Sequence, residues 1–209
     1  MNPRHRAGDR LLLRKTLARV FAAAGLLAFG YWAFMVLGGR VYQAREVARF
    51  SLPQPAEAAP GPAERRPPES GSPVALLEIP RLGMSLVVME GAEERELKLG
   101  PGHIRGTSLP GEGGNFAVAG HRDTFFRPLR LVRPNDAIKV VTHEKELLYR
   151  VVSTQIVGPR DVQVLYPTGN EVLTLVTCYP FDFAGAAPRR FIVRAECMDC
   201  GTHQAAPVL

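Results

Sequence analysis

The sequence predicts a mostly β domain that is preceded by a transmembrane helix near the N-terminus. Three observations support this prediction. Residues 20–39 carry no charge, residues 51–73 are rich in proline, and short β-prone runs follow one another from residue 74 onward. The chain has 209 residues, of which 46% are hydrophobic and 22% charged, and these ordinary values exclude a wholly disordered protein.

The positive charge of the chain is concentrated at its N-terminus. The whole sequence carries a formal net charge of +6, of which residues 1–19 contribute +5 and residues 40–75 contribute +1. Residues 76–209 are therefore neutral. A domain that binds nucleic acid normally presents a broad basic face, so we expect no nucleic-acid partner.

The uncharged run Val20–Gly39 is predicted to be a transmembrane signal anchor. A helix rises 1.5 Å per residue, so twenty residues span roughly 30 Å, the thickness of the hydrocarbon core. A buried core helix is seldom uncharged over such a length. A cleaved signal peptide usually has an apolar region of about 7–15 residues before a small-x-small site, whereas bulky residues precede the glycines here.

Charge asymmetry predicts the orientation of this anchor. The basic tail at residues 1–19 outweighs the three arginines that follow the apolar run, so the N-terminus is expected in the cytoplasm and the rest outside the cell membrane. Residues 40–73 are predicted to form a proline-rich extracytoplasmic stalk, because residues 51–73 contain seven of the 18 prolines. Such a segment buries too little apolar surface to fold and favours extended polyproline II.

Residues 74–197 are predicted to form the extracytoplasmic domain, and residues 198–209 a C-terminal tail. Only Ala92–Leu99 and Thr124–Arg130 look helical. Many strands with almost no crossover helices indicate an antiparallel barrel or sandwich. The predicted strands are residues 74–80, 82–88, 115–120, 136–142, 146–157, 172–177 and 190–196.

The odd number of cysteines leaves at least one thiol unpaired or reserved for chemistry. Cys178 ends an apolar strand just before a Tyr-Pro turn, so its side chain is expected at the rim of the barrel. Cys197 and Cys200, followed by His203, have the spacing of half a zinc site, but a structural zinc takes four ligands. A disulfide-type loop or two idle thiols is the preferred interpretation of this pair.

A nucleophilic cysteine needs a base, and the chain has five histidines. His5 and His203 lie in the two tails, His143 lies in a predicted hairpin turn, and His103 lies in a predicted loop. His121 directly follows the strand NFAVAG, which matches the strand-end position of the cysteine. From the pattern alone, a catalytic histidine and a merely structural one remain equally acceptable.

Three segments together resemble the sortases, the cysteine transpeptidases of bacterial envelopes, and class D sortases in particular. They are AGHRDTFF at residues 119–126, TLVTCYPF at 174–181 and APRRFIV at 187–193. The resemblance covers about residues 76–196. It implies a closed β-barrel of about eight strands, with short helices and the site in a groove at one end.

The resemblance also implies a catalytic triad of Cys178, His121 and Arg190. Sortase motifs place the catalytic arginine directly before the aliphatic strand run, which selects Arg190 over its neighbour Arg189. The alternation of a strand agrees, because Arg190 shares a face with Ile192 while Arg189 points to the other side. We expect Arg189 to be a solvated surface charge.

The implied function is that of a membrane-anchored sortase, a thiol protease-like transpeptidase acting on peptide bonds. It would cleave a C-terminal LPxTG-like sorting signal of an exported protein through a thioacyl-enzyme intermediate. The acyl group would pass to an amine acceptor in the cell envelope, either a peptidoglycan stem peptide or a pilin lysine. Thr177 is expected to line the substrate groove, although an ordinary strand role explains it equally well. Asp123 is expected to cap a helix that begins near Thr124.

No cofactor is expected. Some sortases bind calcium through acidic loops, and a cluster of glutamates here is a possible but less favoured structural site: Glu90, Glu93, Glu94 and Glu96. Glu93 and Glu96 also suit an exposed helix face. The sequence is also compatible with two other functions. One is an exported β domain that binds partners without chemistry, and the other is a cysteine endopeptidase in which water accepts the acyl group.

Overall fold

The computed structural model describes residues 3–51, 67–183 and 185–200. The chain divides into two compact units, residues 1–41 and residues 42–209. Helix α1 (Pro3–Ser51) forms the first unit and ends in the second.

Helix α1 contains one segment that is long and apolar enough to cross a membrane, within Arg14–Phe50. Its large apolar side chains are exposed, as at Phe21, Leu26 and Phe34. The apolar run predicted from the sequence lies inside this helix. The helix also continues beyond Gly39 to Ser51, so the first part of the predicted stalk is helical, and residues 52–66 of that stalk lie outside the described residues.

The second unit is a closed eight-stranded barrel, which confirms the predicted fold class. Its strands follow the order β1-β2-β3-β4-β7-β8-β6-β5 around the barrel. Strand β4 runs parallel to β7, β2 runs parallel to β3, and the remaining neighbours are antiparallel. The strands are β1 (Pro73–Ile79), β2 (Met84–Glu90), β3 (Gly102–His103), β4 (Asn115–Gly120), β5 (Ala137–Val141), β6 (Glu146–Val157), β7 (Val172–Tyr179) and β8 (Arg189–Cys197).

The interior of the barrel is filled by side chains that alternate inward along each strand. Branched aliphatic and aromatic residues dominate it, and burial of such side chains is the main force that favours folding. Fully buried members include Leu77 on β1, Phe116 on β4, Tyr149 on β6, Leu175 on β7 and Val193 on β8.

The short helices differ from those predicted. Helix α2 covers only Glu94–Leu97. The helix expected from Thr124 is a 3₁₀ helix at Arg127–Leu131, with Phe126 at its N-cap position. The prediction that Asp123 caps a helix is therefore wrong, because the proline at the second helical position starts the helix three residues later.

The end of α1 forms part of the barrel unit through Gln43, which is buried. Its side-chain amide donates to the carbonyl oxygens of Val87 (3.0 Å) and Leu99 (3.0 Å), and its oxygen accepts from the Val87 amide at 2.7 Å. Because β3 is only two residues long, it leaves this part of the β2 edge unpaired. Gln43 supplies the pairing that a longer strand would provide.

Candidate active site

The three residues predicted to form the triad come from adjacent strands of the barrel. Cys178 on β7 lies directly opposite Arg190 on β8 in the antiparallel register. On the other side, β4 and β7 are parallel and end with Gly120 beside Thr177. The residue that follows Gly120 is His121, and the residue that follows Thr177 is Cys178. The register therefore brings all three to one end of the β4–β7–β8 sheet.

Strand alternation places Cys178 on the outer face of this sheet. Leu173 and Leu175 belong to the interior cluster, and Thr177 continues that inward face. Cys178 follows the outward alternation and shares its face with Val176. Its thiol is free and half-buried, so it is accessible to a substrate laid against the outside of the barrel wall.

Thr177, for which the sequence allows a place in the substrate groove or an ordinary strand role, is 2% exposed. Its hydroxyl donates to the carbonyl oxygen of Gly120 at 2.7 Å. This bond joins the residue before Cys178 to the residue before His121. It fixes the relative position of the two strand ends from which the thiol and the imidazole project.

Gly120 provides the space that this arrangement needs. A Cβ atom at this position would lie 2.6–2.9 Å from three ring atoms of Phe126, which is fully buried. The amide of Phe126 in turn donates to the carbonyl oxygen of His121 at 3.0 Å. The turn after β4 thus packs against Gly120 through Phe126, and a side chain at residue 120 would push the Phe126 ring away.

The side chain of Arg190 folds back onto the loop that precedes it. Its Nη1 donates to the carbonyl oxygens of Ala187 (3.2 Å) and Arg189 (3.0 Å). These two bonds use only Nη1 of the five N–H donors of a guanidinium, so donors remain for a further acceptor. Arg189 is exposed and lies opposite Tyr179 instead of the cysteine, as the alternation argument predicts.

Arg122, which the sequence analysis did not single out, holds the loop between β7 and β8. Its guanidinium donates to the carbonyl oxygens of Pro180 (2.9 Å), Phe183 (2.6 Å) and Gly185 (2.9 Å). It also lies 5.9 Å from the centroid of the Phe183 ring. The sequence gives little signal for this role, because the partners of Arg122 are backbone oxygens 58 to 63 residues further along the chain.

A polar network links the start of β4 and β7 to the segment between β6 and β7. The Asn115 side chain donates to the carbonyl oxygens of Val164 (3.0 Å) and Tyr166 (3.2 Å), and it accepts from the Thr174 hydroxyl at 2.6 Å. Arg194 donates to the same hydroxyl at 3.0 Å. The segment between β6 and β7 is therefore tied to the first residues of β4 and β7, at the opposite end of these strands from His121 and Cys178.

The helix α2 contributes a negative charge near the histidine. Its residue Glu94 forms an ion pair with Lys98 at 2.9 Å. Lys98 mainly, and His121 to a smaller degree, lower the pKa of the Glu94 carboxyl. The carboxylate of Glu94 therefore lies within electrostatic reach of His121.

The sequence predicted His103 in a loop, but the residue lies on β3, in the barrel wall. It is 3% exposed, its Nδ1 lies 2.7 Å from Glu90 Oε2, and its Nε2 lies 3.1 Å from the Thr107 hydroxyl. These contacts satisfy both ring nitrogens and explain its burial. His143 lies in the turn between β5 and β6, as predicted, where its ring stacks on Phe50 at 4.8 Å.

The four glutamates considered for calcium each have another partner. Besides Glu90 and Glu94, described above, Glu93 lies 3.5 Å from Arg105, and Glu96 accepts from the Ser70 hydroxyl at 3.3 Å. Within residues 3–51, 67–183 and 185–200 there is no cluster of three or more histidine, cysteine, aspartate or glutamate side chains that could hold a metal ion.

Cys197 and Cys200 form a disulfide, one of the two alternatives preferred from their spacing. The amide of Cys200 also donates to the sulfur of Cys197 at 3.1 Å. Cys178 is then the free cysteine of the described chain. The pairing leaves the thiol of Cys178 unbonded at the strand end that lies near His121 and opposite Arg190.

Comparison with known proteins agrees with this geometry. Residues 77–198 match the model of the Sortase domain family. The chain is 31% identical over 193 residues to Sortase D of Bacillus subtilis (strain 168), covering 87% of this chain and 97% of that protein.

Solved structures show the same similarity. A Clostridium perfringens Sortase D5 transpeptidase superposes with a TM-score of 0.63 at 27% identity, covering 76% of this chain and 97% of that one. Sortase C-1 from Actinomyces oris superposes with a TM-score of 0.56 at 30% identity, covering 61% of this chain and 74% of that one.

Proposed function

The chain belongs to the sortase family of cysteine transpeptidases, and on this basis we propose that it is a membrane-anchored enzyme that attaches exported proteins to the cell envelope. Its substrates would carry a C-terminal LPxTG-like sorting signal. The amine acceptor would be a peptidoglycan stem peptide or a pilin lysine. The observation that supports this best is the register that sets Cys178 opposite Arg190 and beside the end of the strand that leads to His121.

In the first half-reaction, the Cys178 thiolate attacks the carbonyl carbon of the scissile peptide bond. A carbon–sulfur bond forms, and the carbonyl oxygen becomes an oxyanion. Protonated His121 gives its proton to the departing amine as the carbon–nitrogen bond breaks. The product is a thioacyl enzyme together with the released C-terminal fragment.

In the second half-reaction, the acceptor amine attacks the thioester carbon. His121, now neutral, takes a proton from this amine, and the Cys178 thiolate leaves. Arg190 donates hydrogen bonds to the oxyanion in both steps. A guanidinium suits this task because it is always charged and carries several donors in a fixed plane. Its Nη1 already donates to Ala187 and Arg189, so the remaining N–H groups of the guanidinium would serve the oxyanion.

The apolar part of α1 is proposed to anchor the enzyme, with the N-terminus in the cytoplasm and the barrel outside. Its exposed apolar side chains would be costly in water and favourable in a bilayer. The excess of basic residues before the apolar run supports this orientation.

The proposal is tested with the full-length protein in detergent and Leu-Pro-x-Thr-Gly peptides in which the third position is varied. Mass spectrometry should detect an acyl group on Cys178, and adding an amine acceptor should convert it to a branched peptide product. Formation of the same acyl-enzyme by a Cys178→Ala variant would contradict the assignment. Release of acid alone, even at high amine concentration, would indicate an endopeptidase instead.

Alkylation supplies an independent control for the nucleophile. Without a reductant, iodoacetamide should label Cys178 and leave the bonded Cys197 and Cys200 unmodified. A His121→Ala variant should react more slowly near neutral pH, because the imidazolium that stabilises the thiolate is lost. An unchanged rate would argue against a thiolate–imidazolium pair.

A further inference from the structure

The loop between β7 and β8 connects two of the three proposed catalytic residues. It follows Cys178 and ends at Arg190, so its conformation decides how the arginine approaches the thiol. The same loop supplies the Ala187 carbonyl oxygen to which Arg190 donates. Whatever fixes this loop therefore fixes the starting position of the guanidinium.

Arg122 is the side chain that fixes it. Its three acceptors, Pro180, Phe183 and Gly185, are all backbone carbonyl oxygens of this loop, at 2.6–2.9 Å. One planar guanidinium therefore joins three points that lie within six residues of chain. A lysine carries a single ammonium group on a flexible stem and cannot hold three acceptors in the same fixed geometry.

The contacts of Arg122 connect the loop to His121, because Arg122 is the next residue in the sequence. It directly follows His121, whose own carbonyl oxygen is held by the amide of buried Phe126. The side chains of His121 and Arg122 thus project from the same short, well-packed turn. Movement of the loop relative to the histidine requires that the contacts of Arg122 break.

We propose that Arg122 is a positioning residue of the transfer reaction, which ties the turn carrying His121 to the loop that places Arg190 opposite Cys178. This inference rests on the proposed function. Arg122 acts through Arg190 and not on the substrate. Its loss should reduce the stabilisation of the oxyanion while it leaves the thiol and its histidine in place.

The primary test is a double-mutant cycle between Arg122→Lys and Arg190→Lys in the full-length protein, measured as the single-turnover rate of acyl-enzyme formation. Arg122→Lys alone should lower this rate about 10- to 100-fold, since charge-assisted hydrogen bonds are lost. In the Arg190→Lys background, the same change should lower it by less than about twofold. Equal losses in the two backgrounds would overturn the proposal.

Two further measurements separate positioning from folding. Hydrogen exchange of Arg122→Lys should be faster in residues 181–188 and unchanged in the strands of the barrel, and a general loss of protection would overturn the proposal. Alkylation of Cys178 by iodoacetamide should stay within about twofold of the wild-type rate, since the lysine retains the charge.

Arg127→Gln is the matched control. Arg127 lies near the same loop, where its exposed side chain forms a 3.3 Å ion pair with Asp182. Removal of this pair should leave acyl-enzyme formation within about twofold, because exposed ion pairs contribute little. If wild-type transfer depends on Cys178 but Arg122→Lys matches the wild type, the positioning role fails and the proposed function stands. If Cys178→Ala retains transfer, the proposed function itself fails.

Discussion

Cys178 and Arg190 face each other across β7 and β8, as direct partners in the antiparallel register. Opposed residues of such a pair have Cβ atoms about 5 Å apart and project from the same face of the sheet. The backbone pairing of two neighbouring strands thus places the thiol and the guanidinium side by side. Their relation does not depend on a flexible loop alone.

The adjacent arginines allow a direct test of this relation. Arg190→Lys should lower the rate of acyl-enzyme formation by about 100-fold, because a well-placed oxyanion donor is lost. Arg189→Lys should change it by less than about twofold, since Arg189 lies opposite Tyr179 and is exposed. Single-turnover kinetics with a fixed peptide measure both. A larger effect at residue 189 would reverse the assignment.

Gly120→Ala is expected to destabilise the barrel and reduce activity together. The added methyl group would lie 2.6–2.9 Å from the Phe126 ring, and overpacking of this kind costs about 1–3 kcal/mol. Urea denaturation measures the loss. Gly169→Ala is the control, because a Cβ atom there has nothing within 4 Å. Equal stability of the two variants would show that the turn after β4 can yield.

The stability of the barrel should depend on pH through Asp136, which is 7% exposed. Arg81 donates to its carboxylate, with Nη2 at 2.6 Å from Oδ2. The hydrogen bond from Arg81 is the main cause that lowers the pKa of this carboxyl in the folded state. A lowered folded pKa adds stability above the unfolded pKa of about 3.9, and this stability disappears as the pH falls through the folded value.

We therefore expect Asp136→Asn to lower the free energy of unfolding at pH 7 by about 1–3 kcal/mol, and by progressively less below about pH 4. Thermal unfolding of the variant and the wild type between pH 2.5 and pH 7 measures the difference. A difference that stays constant over this range would mean that the ionised carboxylate is not its source.

Gln43→Ala should destabilise the barrel although residue 43 lies on α1. The change leaves the amide and carbonyl of Val87 and the carbonyl of Leu99 without their partner, at a cost of about 1–3 kcal/mol. The neighbouring exposed residue Arg45 gives the control, since Arg45→Ala should have almost no effect. Equal stability of Gln43→Ala and Arg45→Ala would show that water replaces the lost contacts.

The sequence predicted seven of the eight strands, because each is a run of β-prone residues between turn signals. It missed β3, since two residues cannot show a period, and with it the buried pair of His103 and Glu90. The helical part of α1 beyond Gly39 was missed for a different reason. Its stability depends on contacts such as those of Gln43, which only the folded barrel supplies.

The candidate site was predictable where strand alternation determines direction. Alternation separated Arg190 from Arg189, and the register agrees with that choice. It was not predictable where long-range bonds decide. The sequence allowed Thr177 either a place in the groove or an ordinary strand role, and it could not show that the hydroxyl donates to the Gly120 carbonyl oxygen. Arg122 was overlooked because its partners are backbone oxygens, which carry no residue-specific signal.

The parallel pairing of β4 with β7 has a consequence for the order in which the enzyme matures. Thr177 and Gly120 are 57 residues apart in the chain, and the strand that carries Arg190 is the last barrel strand in sequence. Bringing these two residues together costs loop-closure entropy before their contacts can stabilise the sheet. Because the candidate site draws on β4, β7 and β8, we expect Cys178 and Arg190 to come together with the end of β4 only when all three strands have paired.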